Sequence, residues 1–239
     1  MQGTQQQKPA WVWTRGRIIK LFTAIALYPL CLCGVSGRWS WPQAWFIIFD
    51  QLLLYTLTAV YISRHNPSLL PERERFIRNA GTAGFDKVLA PAVVALALPM
   101  YLAAGLQQRW HAALLPATPA WQLAAAAVLH VLTVLLACWA MTTNKFFSSV
   151  VRIQTDRGHV VCDSGPYAYV RHPAYIAVVV QTLAEALLLQ SSWLLWIGAA
   201  RAAVLAARTA AEDAMLQQQL PGYAAYAARV KYRWLPLVY

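Results

Sequence analysis

AWQLAAAAVLHVLTVLLACWAM, residues 120–141, is an apolar run without an Asp, Glu, Lys or Arg. A hydrocarbon core about 30 Å thick takes about 20 helical residues to cross, so this stretch predicts a transmembrane helix. Three similar runs precede it, at about residues 18–35, 41–62 and 88–106. Ser36-Gly37-Arg38 parts the first two, and a loop with Arg109, His111, Pro116 and Pro119 joins the third to the fourth. Two helical hairpins are the natural reading. Two shorter apolar stretches follow, 175–189 and 193–207, parted only by Gln190-Ser191-Ser192. The first of these is short for a full span, which predicts a tilted or partly re-entrant hairpin leaning on the bundle. Composition agrees: of 239 residues 59% are hydrophobic and 12% charged, with a mean hydropathy of +0.43, against about 25% charged in a soluble domain. The expected fold is an all-α, polytopic integral membrane bundle of about five to six transmembrane helices, followed by a small cytoplasmic C-terminal lobe.

Charge orients the bundle. With a cytoplasmic N-terminus, all of the 20 Lys and Arg residues except Arg38, Arg109 and Arg201 fall on the cytoplasmic side. The positive-inside rule therefore places both termini in the cytoplasm, at the inner or cell membrane if the chain is bacterial. The net charge of +11 then reflects topology and contact with anionic headgroups, and no pattern for nucleic-acid binding accompanies it. Residues 1–8 are polar and lead into a full-length span, which argues against a cleavable signal. Cys31, Cys33, Cys138 and Cys162 have neither disulfide nor metal spacing and read as free thiols. The linker 66–84, with its Glu72-Arg73-Glu74-Arg75 run, reads as a solvated loop at headgroup level.

Chemistry concentrates in the last hundred residues. Asn144-Lys145-Phe146-Phe147 and the 150–154 stretch lead to Asp156-Arg157-Gly158-His159, a turn between two short extended pieces. Gly165-Pro166-Tyr167-Ala168-Tyr169-Val170-Arg171-His172-Pro173-Ala174-Tyr175 then places three hydroxyls, a guanidinium and an imidazole within eleven residues. Two prolines prevent one continuous helix there, and Pro173 suits the first turn of the next one. Amides at that helix start would face a ligand. Further on, Arg208 and Glu212 are four apart and share a helix face, for which an intrahelical ion pair is the plain expectation. Tyr223, Tyr226 and residues 230–236 form a basic, aromatic, amphipathic tail suited to a membrane surface.

Taken in order, His159, Gly165-Pro166-Tyr167, Arg171-His172-Pro173-Ala174-Tyr175, Arg208, Glu212, Tyr223, Tyr226 and a terminal proline resemble the isoprenylcysteine carboxyl methyltransferases, whose wider group includes phospholipid N-methyltransferases. The resemblance covers about residues 144–236. It implies two parts, N-terminal transmembrane helices over 1–142 and a methyltransferase catalytic region over 143–239. It also implies an integral membrane enzyme using S-adenosylmethionine without a Rossmann-like domain, and the chain indeed has no strand-borne Gly-x-Gly-x-x-Gly.

Carried over by position, His159, Val160, Val161, Cys162, Tyr167, His172, Pro173, Ala174, Tyr175 and Glu212 would hold the cofactor. Arg208 falls where the family places an arginine beside the acceptor carboxylate, and Arg171 joins it as the second candidate catalytic guanidinium. Where eukaryotic relatives carry a cofactor-contacting glutamine, this chain has Arg152, with Gln154 two residues later. One of the two would contact the ligand, and Gln154 is preferred. Ile176-Ala177 and Ala210-Ala211 depart from a glycine and from acidic residues common in relatives.

The implied partners are a lipophilic small molecule or prenylated substrate and membrane lipid, with no nucleic acid and no metal. The rivals are amine methylation, as on phospholipids, and an NADPH-dependent reductase of the sterol-reductase type, which shares an Arg-His-Pro-x-Tyr segment but is usually longer. Asp50, His130, Glu185 and Arg201 lie inside apolar spans, where ionisable groups are costly. A Glu185–Arg201 pair across the last hairpin and helix-to-helix hydrogen bonds for Asp50 and His130 are the plain expectations.

Overall fold

The computed structural model describes residues 14–76, 79, 81–112 and 118–235. Lys8, Arg78, Pro116 and Pro236, which entered the charge pattern and the loop readings above, lie outside the described residues. The protein is an all-α membrane bundle. Its α-helices are α1 (Arg15–Pro29), α2 (Pro42–His65), α3 (Leu69–Arg75), α4 (Asp86–Ala95), α5 (Ala97–His111), α6 (Ala120–Thr143), α7 (Pro173–Leu188), α8 (Ser192–Gln219) and α9 (Tyr223–Arg229).

Proline explains where the apolar runs bend. Pro99 has no N–H to donate to the Ala95 carbonyl four residues back, and the helix is interrupted there between α4 and α5. Pro29 ends α1, which passes into a π-turn at Leu30–Gly34. That turn lies flush against Gly105 of α5: a β-carbon at Gly105 would run into the Cys31 carbonyl. Close backbone approach through small residues is the usual way that helices adhere in lipid. Gly198 does the same for α8, packing directly on Thr182 of α7.

The apolar helices long enough to cross a membrane are Pro42–His65, the bent pair Asp86–His111, Ala120–Thr143 and Ser192–Gln219, with Ile25–Gly34 and Pro173–Leu188 shorter. This redistributes the expected spans. Among the described residues the first contributes only the shorter apolar stretch, while the stretch expected to end near Ala207 continues as one 28-residue helix. Its continuation carries Arg208 and Asp213, each neutralised by a buried partner on another element. Ser191 caps α8 by accepting from the Leu194 amide at 3.1 Å. Gln107 of α5 clamps the same turn, accepting from Ser191 Oγ at 2.9 Å and from the Trp193 amide at 3.0 Å.

Two readings of intramembrane groups resolve differently. Asp50 and His130 approach each other helix to helix, with Nε2 and Oδ2 3.3 Å apart, but the expected hydrogen bond is not formed. Glu185 does not pair with Arg201: its carboxylate accepts from Gln51 at 2.7 Å, Gln181 at 2.9 Å and Tyr101 at 3.0 Å. Arg201 Nε instead donates to the Val93 carbonyl at 3.1 Å. Three uncharged donors from α2, α5 and α7 can reach Glu185 without desolvating a second charge, and so they outcompete the guanidinium.

The charge run in the linker is only partly solvated: Arg75 is exposed, but Glu72 is not. Leu69, Leu70 and Glu72 are buried in α3. Glu72 receives a bidentate fork from Arg152, Nε at 2.8 Å and Nη2 at 2.9 Å. The short α3 thus docks against the segment that follows α6, and this docking builds the site.

Candidate active site

The chain leaves α6 at Asn144, whose side-chain oxygen accepts from the Phe146 amide at 2.8 Å and turns the backbone out of the helix. The Thr155–Arg157 turn closes on Gly158, which has φ +65°. Gly165 is held at φ +56°, and a β-carbon there would come within 3.0–3.2 Å of Thr143 and Trp139. Only glycine combines that conformation with so close an approach to α6. No strand flanks the Asp156-Arg157-Gly158-His159 turn, and the pieces beside it are irregular. Tyr167 next reaches back to the Ala140 carbonyl at 3.3 Å, while its own carbonyl accepts from Tyr226 Oη at 2.8 Å. His172 is the N-cap of α7 and Pro173 its first residue, so one of the orphan amides of the helix start is absent by covalent structure.

The C-terminal residues strap this loop in place. Arg171 and His172 donate backbone N–H bonds to the Tyr232 and Arg233 carbonyls at 3.0 and 2.8 Å. Behind them lies fully buried Asp213. It accepts from Arg171 Nε at 2.8 Å and Nη2 at 3.0 Å, from Tyr223 Oη at 2.9 Å, from Gln217 at 3.0 Å and from Arg233 at 3.1 Å. His172 Nε2 stands 3.5 Å from the same carboxylate.

These elements enclose a cavity of about 550 Å³, within the size range typical of small-molecule sites. Every residue selected from the sequence lines it: Gln154, His159, Val160, Val161, Cys162, Tyr167, Arg171, His172, Pro173, Ala174, Tyr175, Arg208 and Glu212. The segments supplying them are separated by up to 58 positions in the chain and by an intervening helical hairpin.

Their individual settings differ. Arg208 is not paired with Glu212. Its Nε and Nη2 bond Asp86 of α4 at 2.6 and 2.9 Å, and Nη2 also reaches the Ser149 carbonyl at 3.2 Å. The fixed fork of a guanidinium matches a carboxylate bidentately, and fully buried Asp86 has no water to compete for it. Glu212 accepts instead from Tyr175 Oη at 2.7 Å. The Tyr175 ring lies parallel to His172, 5.5 Å between centroids, and Arg208 sits over it at 5.4 Å. Arg171, expected beside Arg208 at the reacting groups, has its guanidinium between Asp213 and the tail, with Nη1 donating to the Val230 and Lys231 carbonyls at 2.8 and 2.9 Å. Gln154 is buried, donates to the Phe146 carbonyl at 2.6 Å and accepts from Arg157. Arg152, its rival for the glutamine position, is held by Glu72 and Asp156.

Burial sets the protonation of the loop. It lowers the His159 imidazole to about 4, aided by the nearby Arg152 and Arg157 charges, so the ring is neutral near pH 7. Its Nδ1 accepts from the Gln154 amide at 3.3 Å, and the ring lies against Phe146 at 4.6 Å. Burial also raises the Cys162 thiol and the Tyr167, Tyr223 and Tyr226 phenols. These hydroxyls stay protonated and act as donors, not bases. Glu72 is held below its usual range: burial alone would raise it, but the Arg152 hydrogen bonds and charge outweigh that.

Sequence reading gave Asp86 and Asp213 no role and took Glu72 and Arg73 for part of a solvated charge run. The usable signal was scarcity: with only 9 acidic residues in the chain, a carboxylate at the edge of an apolar run is a ready partner for a guanidinium elsewhere.

Residues 125–218 match the family model for the Isoprenylcysteine carboxyl methyltransferase (ICMT) family. No curated protein matches the chain. The matched span begins within α6 and ends one residue short of the end of α8, so it carries the irregular loop, both hairpin arms, Arg208 and Glu212. Residues 125–218 are thus similar to the isoprenylcysteine carboxyl methyltransferase family, a family of membrane methyltransferases.

Proposed function

We propose that the protein transfers a methyl group from S-adenosylmethionine to the carboxylate of a lipophilic, isoprenylcysteine-like acceptor. The observation that carries this reading is the convergence, on one cavity, of residues from the loop, the α7 start and α8 that sequence alone had grouped only by resemblance. The cavity chemistry suits the donor. One wall has the ring faces of Phe146 and His159, which suit a flat base. Another has the Glu212 carboxylate, whose charge suits a cation.

In this reading His159, Val160, Val161, Cys162, Tyr167, Gln154 and residues 172–175 hold the cofactor, with Glu212 closing the pocket. S-adenosylmethionine, when bound, supplies an electrophilic methyl group on a sulfonium. A carboxylate is already nucleophilic and needs positioning more than a base. Arg208 has Nε and Nη2 fixed on Asp86, and its Nη1 has no protein hydrogen bond among the described residues, so Nη1 is the donor that would orient the acceptor oxygen. Arg171 acts through Asp213 and the tail strap as a positioning residue. Most of the rate comes from proximity and orientation in a site kept from bulk water. Residues 1–142 anchor the enzyme and residues 143–239 do the chemistry, with both termini cytoplasmic and the acceptor entering from the lipid.

Calorimetry on the purified protein tests the reading. S-adenosylhomocysteine is expected to bind and NADPH to give no heat. No heat with S-adenosylhomocysteine sinks the proposal. In a methylation assay with a prenylated cysteine, Arg208→Ala keeps donor binding but loses turnover, and a fully active Arg208→Ala removes its substrate role.

A further inference from the structure

Four guanidinium groups line the cavity: Arg73, Arg152, Arg171 and Arg208. Three carry a buried carboxylate partner, respectively Glu72 for Arg152, Asp213 for Arg171 and Asp86 for Arg208. Arg73 has none among the described residues. Among the described residues its guanidinium has Nη1 on the Phe147 carbonyl at 3.3 Å and lies over the Phe147 ring at 5.1 Å. A half-buried guanidinium balanced by a single carbonyl and a ring face is under-compensated. The fold shows what compensation looks like here, since the other three cavity arginines receive it in full.

Arg73 is also well placed. It comes from α3, which Glu72 docks against the loop through Arg152. The Ser149 hydroxyl donates to the Arg73 backbone carbonyl at 3.0 Å, which fixes the helix end against the same segment. Arg73 holds the Phe147 carbonyl and Arg208 the Ser149 carbonyl, so two guanidinium groups bracket residues 147–149 from either side. Arg208 spends its fork on Asp86, whereas the Arg73 Nη2 and Nε donors have no protein acceptor among the described residues.

We propose that Arg73 is an anion-binding group of the cavity, in addition to Arg208 Nη1, and takes a ligand carboxylate as its missing counter-ion. The proposal rests on the methyltransferase reading. Two carboxylates are available there, that of the amino-acid end of the donor and that of the acceptor, and the guanidinium chemistry is the same for both.

The test compares full-length wild type, R73Q and R73K. Calorimetry uses S-adenosylhomocysteine and 5′-methylthioadenosine, which lacks the amino-acid portion, and steady-state assays give KM for a prenylated cysteine. If the donor carboxylate is the partner, R73Q weakens S-adenosylhomocysteine by at least about tenfold, the scale of a charge-assisted hydrogen bond, with 5′-methylthioadenosine unchanged. If the acceptor is the partner, S-adenosylhomocysteine is unchanged and the acceptor KM rises by a similar factor. R73K, which keeps the charge but not the fork, lies between, and it carries the test should R73Q not fold. Donor affinity and acceptor KM both within about twofold of wild type in R73Q overturn the proposal. Equal loss of both nucleoside ligands also overturns it, because general damage to the cavity would explain it. A wild type that binds neither nucleoside overturns the methyltransferase reading and Arg73 with it, whereas wild-type binding matched by R73Q overturns Arg73 alone.

Discussion

Substituting Asp86 by Asn isolates the pair that fixes Arg208. Asp86 is fully buried, accepts from Arg208 Nε and Nη2 at 2.6 and 2.9 Å, and accepts from the Val151 amide at 2.6 Å. Asn keeps the shape and one acceptor oxygen but leaves the guanidinium buried without a counter-charge. Removing one partner of a buried pair costs about 3–5 kcal/mol, and the lower end applies because Arg208 still reaches the Ser149 carbonyl. At about 2–4 °C per kcal/mol for a chain of this size, that is a fall in Tm of about 6–12 °C. The assay is thermal unfolding in detergent, with donor binding measured in parallel. Pairing Asp86→Asn with Arg208→Gln removes both charges, so the double variant is expected to be more stable than the sum of the single losses by about 1–3 kcal/mol. Additive losses, or an Asp86→Asn protein as stable as wild type, would refute the claim that this pair holds Arg208 in the site.

Three further outcomes follow from other contacts. Tyr175→Phe removes the 2.7 Å donor to Glu212; losing a bond to a charged group is worth about 1.5–3 kcal/mol, so S-adenosylhomocysteine affinity should drop about tenfold or more, and unchanged affinity would detach Tyr175 from cofactor binding. Asp213→Asn and Arg171→Gln should each release the tail strap and expose residues 230–235 to limited proteolysis, with the double variant no worse than either alone; a tail that stays protected would show that its backbone bonds suffice. The His159 imidazole is lowered to about 4, against about 6.5 for an exposed histidine. Between those values the folded protein binds fewer protons than the unfolded chain, so the stability that neutral His159 contributes is complete above about pH 6.5 and is lost as pH falls towards 4. His159→Gln should flatten that part of the Tm–pH curve, and an unaltered slope would count against a buried neutral ring.

The membrane bundle was legible because hydrophobic run length is a one-dimensional property. Residues 120–141 could be read as a span without reference to any other residue. The loop motif was legible for a related reason: Gly165, Pro166 and Pro173 impose backbone conformations by their own covalent structure. Pairings were not legible. Arg208 and Glu212 share a helix face, yet each bonds across the fold, to Asp86 and Tyr175. Glu185 and Arg201 faced each other on paper but find α2, α5 and α4 instead. The linker shows the same limit, because Glu72 and Arg73 look solvated until a distant Arg152 and Phe147 are seen to meet them.

Sequence by itself therefore determined the solvent this chain folds in, roughly where most of its apolar helices lie, and which segment carries polar chemistry. Those properties depend on each residue and its near neighbours. Only the tertiary structure decided which carboxylate neutralises which guanidinium, because a buried charge is stabilised by whatever partner packing brings within about 3 Å, however far away in the chain. That assignment pairs Arg152, Arg171 and Arg208 with Glu72, Asp213 and Asp86 and, among the described residues, leaves Arg73 lining the cavity without a protein carboxylate.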